Sequence, residues 1–286
     1  MLWQGRRQST NVEDRRGMST TGGLAVGGGI IGVIVVVLNL LLGGDADVSQ
    51  LPELLPGQQQ GSQQGPIDES PEEKKRADFV KTVLADTEDV WDDIFKKAGE
   101  AYPKPTLVLF RSVVQSGCGN ASAASGPFYC PGDNKLYIDL SFFEELQNRF
   151  NAPGDLPMAY VVAHEVGHHV QTVMGTSAKL ARARQQMSEV EYNKLSVKNE
   201  LQADFYAGIY AHYLNREHRI QNEDIEQALV AANAIGDDNL QKQSQGTVVP
   251  DAFTHGSSQQ RMYWFKKGFE SGDISEGDTF SDPSLN

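Results

Sequence analysis

Two histidines and a glutamate in the run HEVGH form the pattern with the clearest chemical content. His164, Glu165 and His168 lie within 156–174, where the apolar spacing predicts a helix. At about 100° per residue, His168 falls about 40° from His164 and one turn further along the helix. Two imidazoles so arranged can bind one zinc ion through nitrogens about 2.0–2.1 Å away.

The remaining positions of the motif predict different roles. Glu165 lies at the edge of the histidine face, so it is suited to act on a metal-activated water rather than on the metal. His169 points well away from His164, and we assign it no ligand role but a packing or supporting one. Gly167 leaves room for a neighbouring backbone, despite a helix cost of about 1 kcal/mol relative to Ala.

A catalytic zinc needs a third protein ligand and one open position. Glu200 and Asp204 lie one turn apart on a helix predicted over 189–215. Glu200 could complete the metal site, and Asp204 could accept the spare N–H of a liganding imidazole. The alternative for such an acidic pair is a solvated helix face. The apolar neighbours Ala203 and Phe205 favour the metal site.

HEVGHH at 164–169 followed by NELQADFYAG at 199–208 resembles the gluzincin pattern, HExxH then ExxxD. Within that group the chain resembles the bacterial putative neutral zinc metallopeptidase family, and the likeness covers roughly 76–271. It includes an amino-terminal apolar segment, the CG…YCPGDNKLYIDLSFF stretch from Cys118, and THGSSQQR at 254–261.

The resemblance implies a zincin-like fold, Zn²⁺ as cofactor and a peptide or protein substrate. It implies His164, His168 and Glu200 as ligands and Glu165 as general base. The oxyanion of such a reaction needs a donor besides the metal. His255 is the candidate, because it precedes a predicted helix and has no other assigned role. Arg261 and Tyr263 are weaker candidates.

Composition excludes some classes of function. The net charge of −13 argues against nucleic acid as a partner, because phosphate binding needs clustered Lys and Arg. With two cysteines and six histidines, a zinc site of four Cys, or of two Cys and two His, is disfavoured. A metal here should be held by His and carboxylate.

Residues 24–42 are almost wholly apolar, which predicts a transmembrane helix. Arginines precede it and acids follow it, so the positive-inside tendency predicts a cytoplasmic segment at 1–23. A cleaved signal peptide and a buried soluble helix are the alternatives. The prediction is a single-pass protein of the bacterial inner membrane with an extracytoplasmic, periplasmic catalytic domain.

The rest of the chain divides by composition. Residues 43–75 are rich in Gln, Gly and Pro and predict a flexible linker. We expect the metallopeptidase domain at 76–271 and a disordered acidic tail at 272–286. Cys118 and Cys130 bracket a Gly- and Ser-rich loop, and an oxidising compartment would permit a disulfide between them. Two unpaired thiols are the alternative.

Within the domain, the patterns predict a helix at 76–99, strands at 106–110 and 135–140, and then mainly helices. Ser141 and Glu144 predict a capping box for a helix from Phe142. The further helices are predicted at 156–174, 177–187, 189–215, 222–235 and 257–270. The predicted fold class is therefore α+β, a zincin-like domain with a small sheet first, preceded by one transmembrane helix. A substrate could lie beside an edge strand, for which 135–140 is a candidate.

Three alternatives to an enzymatic function are considered. The chain could be a non-catalytic binding or scaffold protein at the membrane, although the intact Glu165 speaks against this. It could hold a closed structural zinc, with His255 or His212 as fourth ligand. The HExxH pattern could also be accidental.

Overall fold

The structure, a computed structural model, describes residues 1–17 and 67–285. The strands are β1 (Val12–Asp14), β2 (Thr106–Phe110), β3 (Val113–Ser116), β4 (Gly119–Ser122), β5 (Phe128–Cys130) and β6 (Lys135–Asp139). The main sheet has four strands in the order β1-β2-β6-β5. β1 and β2 are parallel, as are β2 and β6, whereas β5 runs antiparallel to β6. A separate two-stranded hairpin is formed by β3 and β4.

Helices make up most of the other described residues and enclose the larger core. They are α1 (Pro71–Lys97), α2 (Phe142–Asn148), α3 (Asp155–Val173), α4 (Thr176–Arg184), α5 (Glu189–Arg216), α6 (Asn222–Ala234), α7 (Asp237–Gln245) and α8 (Ser258–Ser271). α3 is buried on nearly every face, which is why its sequence is apolar around the histidines. The molecule is thus mixed α+β, with small sheets and mostly helices.

Close helix contacts bring the candidate site together. A Cβ on Gly167 of α3 would lie 3.1 Å from the backbone of Ala203 on α5, so the predicted close approach at Gly167 is confirmed. α5 and α8 approach still more tightly. A Cβ on Gly208 would lie 2.1 Å from the carbonyl oxygen of Phe265, and one on Gly268 would lie 2.0 Å from that of Phe205. Only glycine allows these backbones to come so close.

The helices begin and end close to the predicted positions, but several elements differ. β1, β3, β4, β5 and α7 were not predicted. The capping box at Ser141 is wrong: Ser141 is helical and makes no side-chain cap. Its amide instead donates to Asp139 at 2.9 Å, and Glu144 pairs with Arg76.

The amino-terminal segment belongs to the same folded body as the catalytic helices. β1 pairs with β2 in register, Val12 beside Leu107. Arg6 and Arg7 donate to Asp86 and Glu88, two acids of α1 that are only 2% exposed. Because buried carboxylates need a countercharge, α1 depends on these arginines for its own stability.

This pairing corrects the predicted membrane arrangement. Residues 1–23 were placed in the cytoplasm and the domain outside, but a strand within 1–17 cannot join β2 across a membrane. The predicted transmembrane helix at 24–42 lies outside the described residues. Among residues 1–17 and 67–285, no helix is long and apolar enough to cross a membrane. The fold class with a preceding membrane helix, the inner-membrane location and the membrane as a partner are therefore withdrawn.

The ends of the predicted domain also differ. α1 begins at Pro71, within the predicted linker, and Ser70 caps it by accepting from the amide of Glu73. The segment after Ser271, predicted as a disordered tail, packs on α5. Thr279 is fully buried there, and its hydroxyl donates to the carbonyl oxygen of Lys198 at 2.6 Å.

Replacing Trp3 with Ala tests whether the amino-terminal segment is part of the fold. The indole is 8% exposed, packs edge-on against Phe79 and donates to Asp155 at 3.0 Å. We expect Trp3→Ala to lower the free energy of unfolding in urea by about 3–5 kcal/mol. Val113→Ala, at a residue 54% exposed, should change it by less than about 0.5 kcal/mol. Equal stabilities for the two variants would show that residues 1–17 do not pack on the domain.

Candidate metal centre

Three ligand atoms converge where α3 meets α5. The side chains of His164, His168 and Glu200 form the group of potential metal ligands found among the described residues, with ligand atoms within 4.8 Å of one another. Nε2 of His164 lies 3.1 Å from one Glu200 oxygen, and Nε2 of His168 lies 3.4 Å from the other. Ligands about 2.0–2.2 Å from one ion lie less than about 4.4 Å apart, so the distances of 3.1 and 3.4 Å fit a single metal ion.

The far nitrogen of each imidazole is already engaged. Nδ1 of His164 lies 2.8 Å from the Asp204 carboxylate, and Nδ1 of His168 lies 2.9 Å from Oε1 of Gln171. Both contacts use Nδ1 as a donor, so a metal ion would bind the Nε2 of each ring, the nitrogen that faces Glu200. Two imidazoles and one carboxylate form a ligand set that catalytic zinc uses, with the fourth position left to water or substrate. The residues present therefore fit zinc.

Asp204 is the buried centre of a wider polar group. Its carboxylate accepts from the hydroxyl of Tyr160 at 2.6 Å and from two nitrogens of Arg261, at 2.8 and 2.9 Å. Arg261 is 3% exposed and Asp204 is fully buried. The forked Arg261 contact fixes the plane of the carboxylate, and the carboxylate in turn fixes the His164 ring. Arg261 is thus occupied by Asp204, a role that the sequence did not suggest.

Neighbouring charges outweigh burial in setting the pKa values of His164 and Asp204. Burial raises the pKa of Asp204, but Arg261 and His164 outweigh burial and lower it to about 2. Burial likewise lowers the pKa of His164, but Asp204 and Glu200 outweigh it and raise it to about 10. The metal-free site therefore attracts a proton strongly, as expected of a cluster of carboxylates built to hold a cation.

Glu165 borders the same space but does not join the three ligand side chains. It is 8% exposed, and burial raises its pKa despite the opposing effects of His168, His164 and a hydrogen bond from the backbone amide of Tyr129. A raised carboxyl pKa makes Glu165 a better proton acceptor than an ordinary glutamate.

A cleft of about 510 Å³ opens over these residues. Its lining includes Glu165 and the three ligand side chains, together with His255 and aromatic walls at Phe128, Phe142 and Phe150. His255, predicted to stabilise an oxyanion, therefore reaches the cleft, and its side chain is 52% exposed. Tyr263 is exposed and does not line it, and His212 instead contacts the carbonyl oxygen of Phe269.

The loop carrying His255 is held by Asp237, at the first position of α7. One oxygen of Asp237 accepts from the backbone amides of Thr254, His255 and Gly256, at 2.8, 2.6 and 3.0 Å. Burial raises the pKa of Asp237, but these contacts and the His255 ring lower it overall. Sequence reasoning missed Asp237, because only the unpredicted α7 brings it to this loop.

The strand beside the cleft is β5, which corrects the prediction of 135–140 as the edge. β6 lies between β2 and β5, so its backbone groups are used on both sides, whereas β5 pairs with β6 alone among the described strands. Phe128 and Tyr129 of β5 line the cleft. β5 was missed because its three residues lie in a sequence that predicts a loop.

His169 supports this strand rather than the metal cluster. Its Nδ1 lies 3.1 Å from the hydroxyl of Tyr129, and its Nε2 donates to the carbonyl oxygen of Pro103 at 2.6 Å. Burial lowers its pKa. The predicted disulfide between Cys118 and Cys130 is confirmed, and it ties the end of β5 to the β3–β4 hairpin.

Comparison with known proteins agrees with this geometry. The family described as "Putative neutral zinc metallopeptidase" matches residues 1–280. The chain belongs to this family. The suspected resemblance is thereby confirmed, and zinc and a peptidase activity are what the family implies.

Curated relatives match over most of the chain. "Uncharacterized protein YpfJ" of Escherichia coli (strain K12) is 47% identical over 290 residues, which cover 98% of this chain and 99% of that protein. "Uncharacterized protein Rv2575" of Mycobacterium tuberculosis (strain ATCC 25618 / H37Rv) is 40% identical over 219 residues, 72% of this chain and 73% of that protein. No solved structure matches the chain.

Replacing Arg261 with Met tests whether Asp204 depends on its cation. The variant keeps most of the side-chain volume but removes the stronger of the two cations, Arg261 and His164, that balance the buried carboxylate. We expect the free energy of unfolding to fall by about 3–5 kcal/mol, measured in urea with a chelator present so that metal binding does not contribute.

The matched control is Lys266→Met on the same helix. Lys266 is 62% exposed and pairs with an exposed Glu270, so a change within about 0.5 kcal/mol is expected. If Arg261→Met were as mild as this control, Asp204 would not depend on Arg261.

Proposed function

We propose that this chain is a zinc metallopeptidase that hydrolyses peptide bonds in an extended substrate. The observation that carries the proposal is the convergence of two imidazoles and Glu200 on one point, beside Glu165 and within an open cleft. A purely structural zinc site is normally closed by four protein ligands, whereas this cluster has three.

In the proposed site, His164, His168 and Glu200 hold the zinc ion and Asp204 orients His164. Bound zinc supplies Lewis-acid chemistry, which makes a water molecule more acidic and polarises a carbonyl group. Glu165 accepts the proton of the attacking water and then delivers it to the leaving amine. Its burial and the backbone hydrogen bond from Tyr129 hold the carboxylate in place for both transfers.

The other proposed roles concern the substrate. His255 donates a hydrogen bond to the oxyanion that develops on the attacked carbonyl, and Asp237 holds its backbone at the rim of the cleft. An extended peptide lies along the side of β5 that no other described strand occupies. The aromatic walls at Phe128, Phe142 and Phe150 offer apolar surface to its side chains.

Replacing Glu165 with Gln separates catalysis from metal binding. The amide keeps the shape of the side chain but cannot accept the proton of water, so hydrolysis should fall by about 10²–10⁴-fold. Bound zinc, measured by elemental analysis, should stay at the wild-type ratio. The assay is a diverse peptide library with and without chelator, and Glu270→Gln on the surface is the control. Undiminished hydrolysis by Glu165→Gln would exclude Glu165 as the base.

Replacing Glu200 with Ala tests the third ligand. The variant retains two imidazoles but loses a charged donor, so we expect bound zinc to fall from one ion per chain toward none after dialysis. Glu189→Ala, at an exposed acid of the same helix, should keep its zinc. If zinc content were the same in both variants, Glu200 would not be a ligand. Zinc binding without any chelator-sensitive hydrolysis would instead favour a non-catalytic binding protein.

A further inference from the structure

Gln171 is fully buried on α3, three residues after His168, and is the acceptor nearest to Nδ1 of that ring. Its amide nitrogen donates to the carbonyl oxygen of Asn199 at 2.7 Å and to Oε1 of Gln202 at 3.1 Å. An amide nitrogen has two hydrogens, so both are used. The opposite orientation would bring Oε1 of Gln171 against the Asn199 carbonyl, oxygen to oxygen. Oε1 must therefore face His168.

The orientation of Gln171 decides where His168 carries its proton. An amide oxygen can only accept, so Nδ1 of His168 must be the protonated nitrogen. In the neutral ring Nε2 then carries the lone pair, and it faces Glu200. The side-chain nitrogen of Asn199 also lies near Nδ1, but its distance of 3.4 Å exceeds the usual hydrogen-bond range. The shorter contact with Gln171 therefore determines the tautomer.

Gln202 on α5 extends this arrangement to the carboxyl-terminal segment. Its own nitrogen donates to the carbonyl oxygen of Gly277 at 2.9 Å, so its oxygen faces Gln171. Gly277 lies against the ring of Phe205, where a Cβ would come within 2.5 Å. The nearby buried Thr279 holds the segment on α5. Each amide thus donates to a main-chain carbonyl that can only accept: Gln171 to that of Asn199, and Gln202 to that of Gly277.

We propose that Gln171, oriented by the main-chain carbonyl of Asn199 and by Gln202, fixes the tautomer and direction of His168. Gln171 is a positioning residue: it acts on the metal only through the imidazole. His164 receives the equivalent constraint from a carboxylate, Asp204. The inference rests on the proposed zinc site, but the tautomer of His168 belongs to the metal-free protein and can be measured there.

The test uses the full chain with ¹⁵N-labelled histidine, and compares the wild type with Gln171→Met and Gln171→Glu. Met fills a similar volume without accepting a hydrogen bond, whereas Glu still accepts from Nδ1 but cannot donate to Asn199 or Gln202. Ring ¹⁵N chemical shifts report the tautomer of His168 in the metal-free protein, at a pH high enough for the ring to be neutral, because burial lowers the pKa of His168 but Glu200 outweighs burial and raises it. The zinc dissociation constant is measured by competition with a chromophoric chelator.

We expect Gln171→Met to lose the Nδ1–H preference of His168 and to weaken zinc binding about 10–100-fold. Gln171→Glu should keep the Nδ1–H tautomer. The His164 ring is the internal control, because Asp204 still holds it: its shifts should be unchanged in both variants, whereas general damage to the fold would move both rings.

Two results would overturn the inference. One is an unchanged His168 tautomer in Gln171→Met. The other, decisive even if the Met variant does not fold, is an Nε2–H tautomer in Gln171→Glu. If the wild-type protein binds no zinc while His168 shows the expected tautomer and its dependence on Gln171, the proposed function fails and the positioning role of Gln171 stands.

Discussion

The fully buried carboxylate of Asp204 sets conditions that much of the molecule has to satisfy. An uncompensated charge in a protein interior costs several kcal/mol, so Asp204 needs a cation and further donors at fixed positions. They come from different helices: His164 and Tyr160 from α3, and Arg261 from α8. α5 carries Asp204 itself, so satisfying this one side chain requires α3, α5 and α8 to pack together. Since Glu200 lies one turn before Asp204 on α5, the same packing also brings Glu200 to the two histidines.

Glycine at the helix crossings makes such a meeting possible. Gly167 lies within the HExxH motif, and its missing side chain admits the backbone of α5 at Ala203. Gly208 and Gly268 do the same between α5 and α8, four residues beyond Asp204 on one helix and seven beyond Arg261 on the other. Methyl groups there would separate the helices and lengthen the contacts of Asp204. Each glycine disfavours its own helix, but it permits the close packing between helices that Asp204 requires.

The parts of the site that could be predicted are those encoded within one helix. His164, His168, Glu200 and Asp204 follow helical spacing, and that spacing is enough to align them in pairs. The contacts that were missed depend on distant chain segments. β1 is three polar-rich residues that become a strand only because β2 offers a partner, and β5 has the sequence of a loop. The placement of residues 1–23 on the other side of a membrane failed for the same reason, since charge and apolarity along the chain do not report pairing with β2.

The two imidazoles are supported by different chemical groups, and charge explains the difference. His164 has a carboxylate partner whose negative charge is balanced by Arg261. His168 lies close to Glu165 and Glu200, and the described residues include no second buried arginine there. A carboxylate at position 171 would add another buried negative charge and raise the pKa of Glu165 further. The neutral amide of Gln171 directs the ring without that charge, provided that its orientation is fixed from elsewhere. The Asn199 carbonyl supplies that orientation, and Gln202, itself oriented by the Gly277 carbonyl, takes the second amide hydrogen of Gln171.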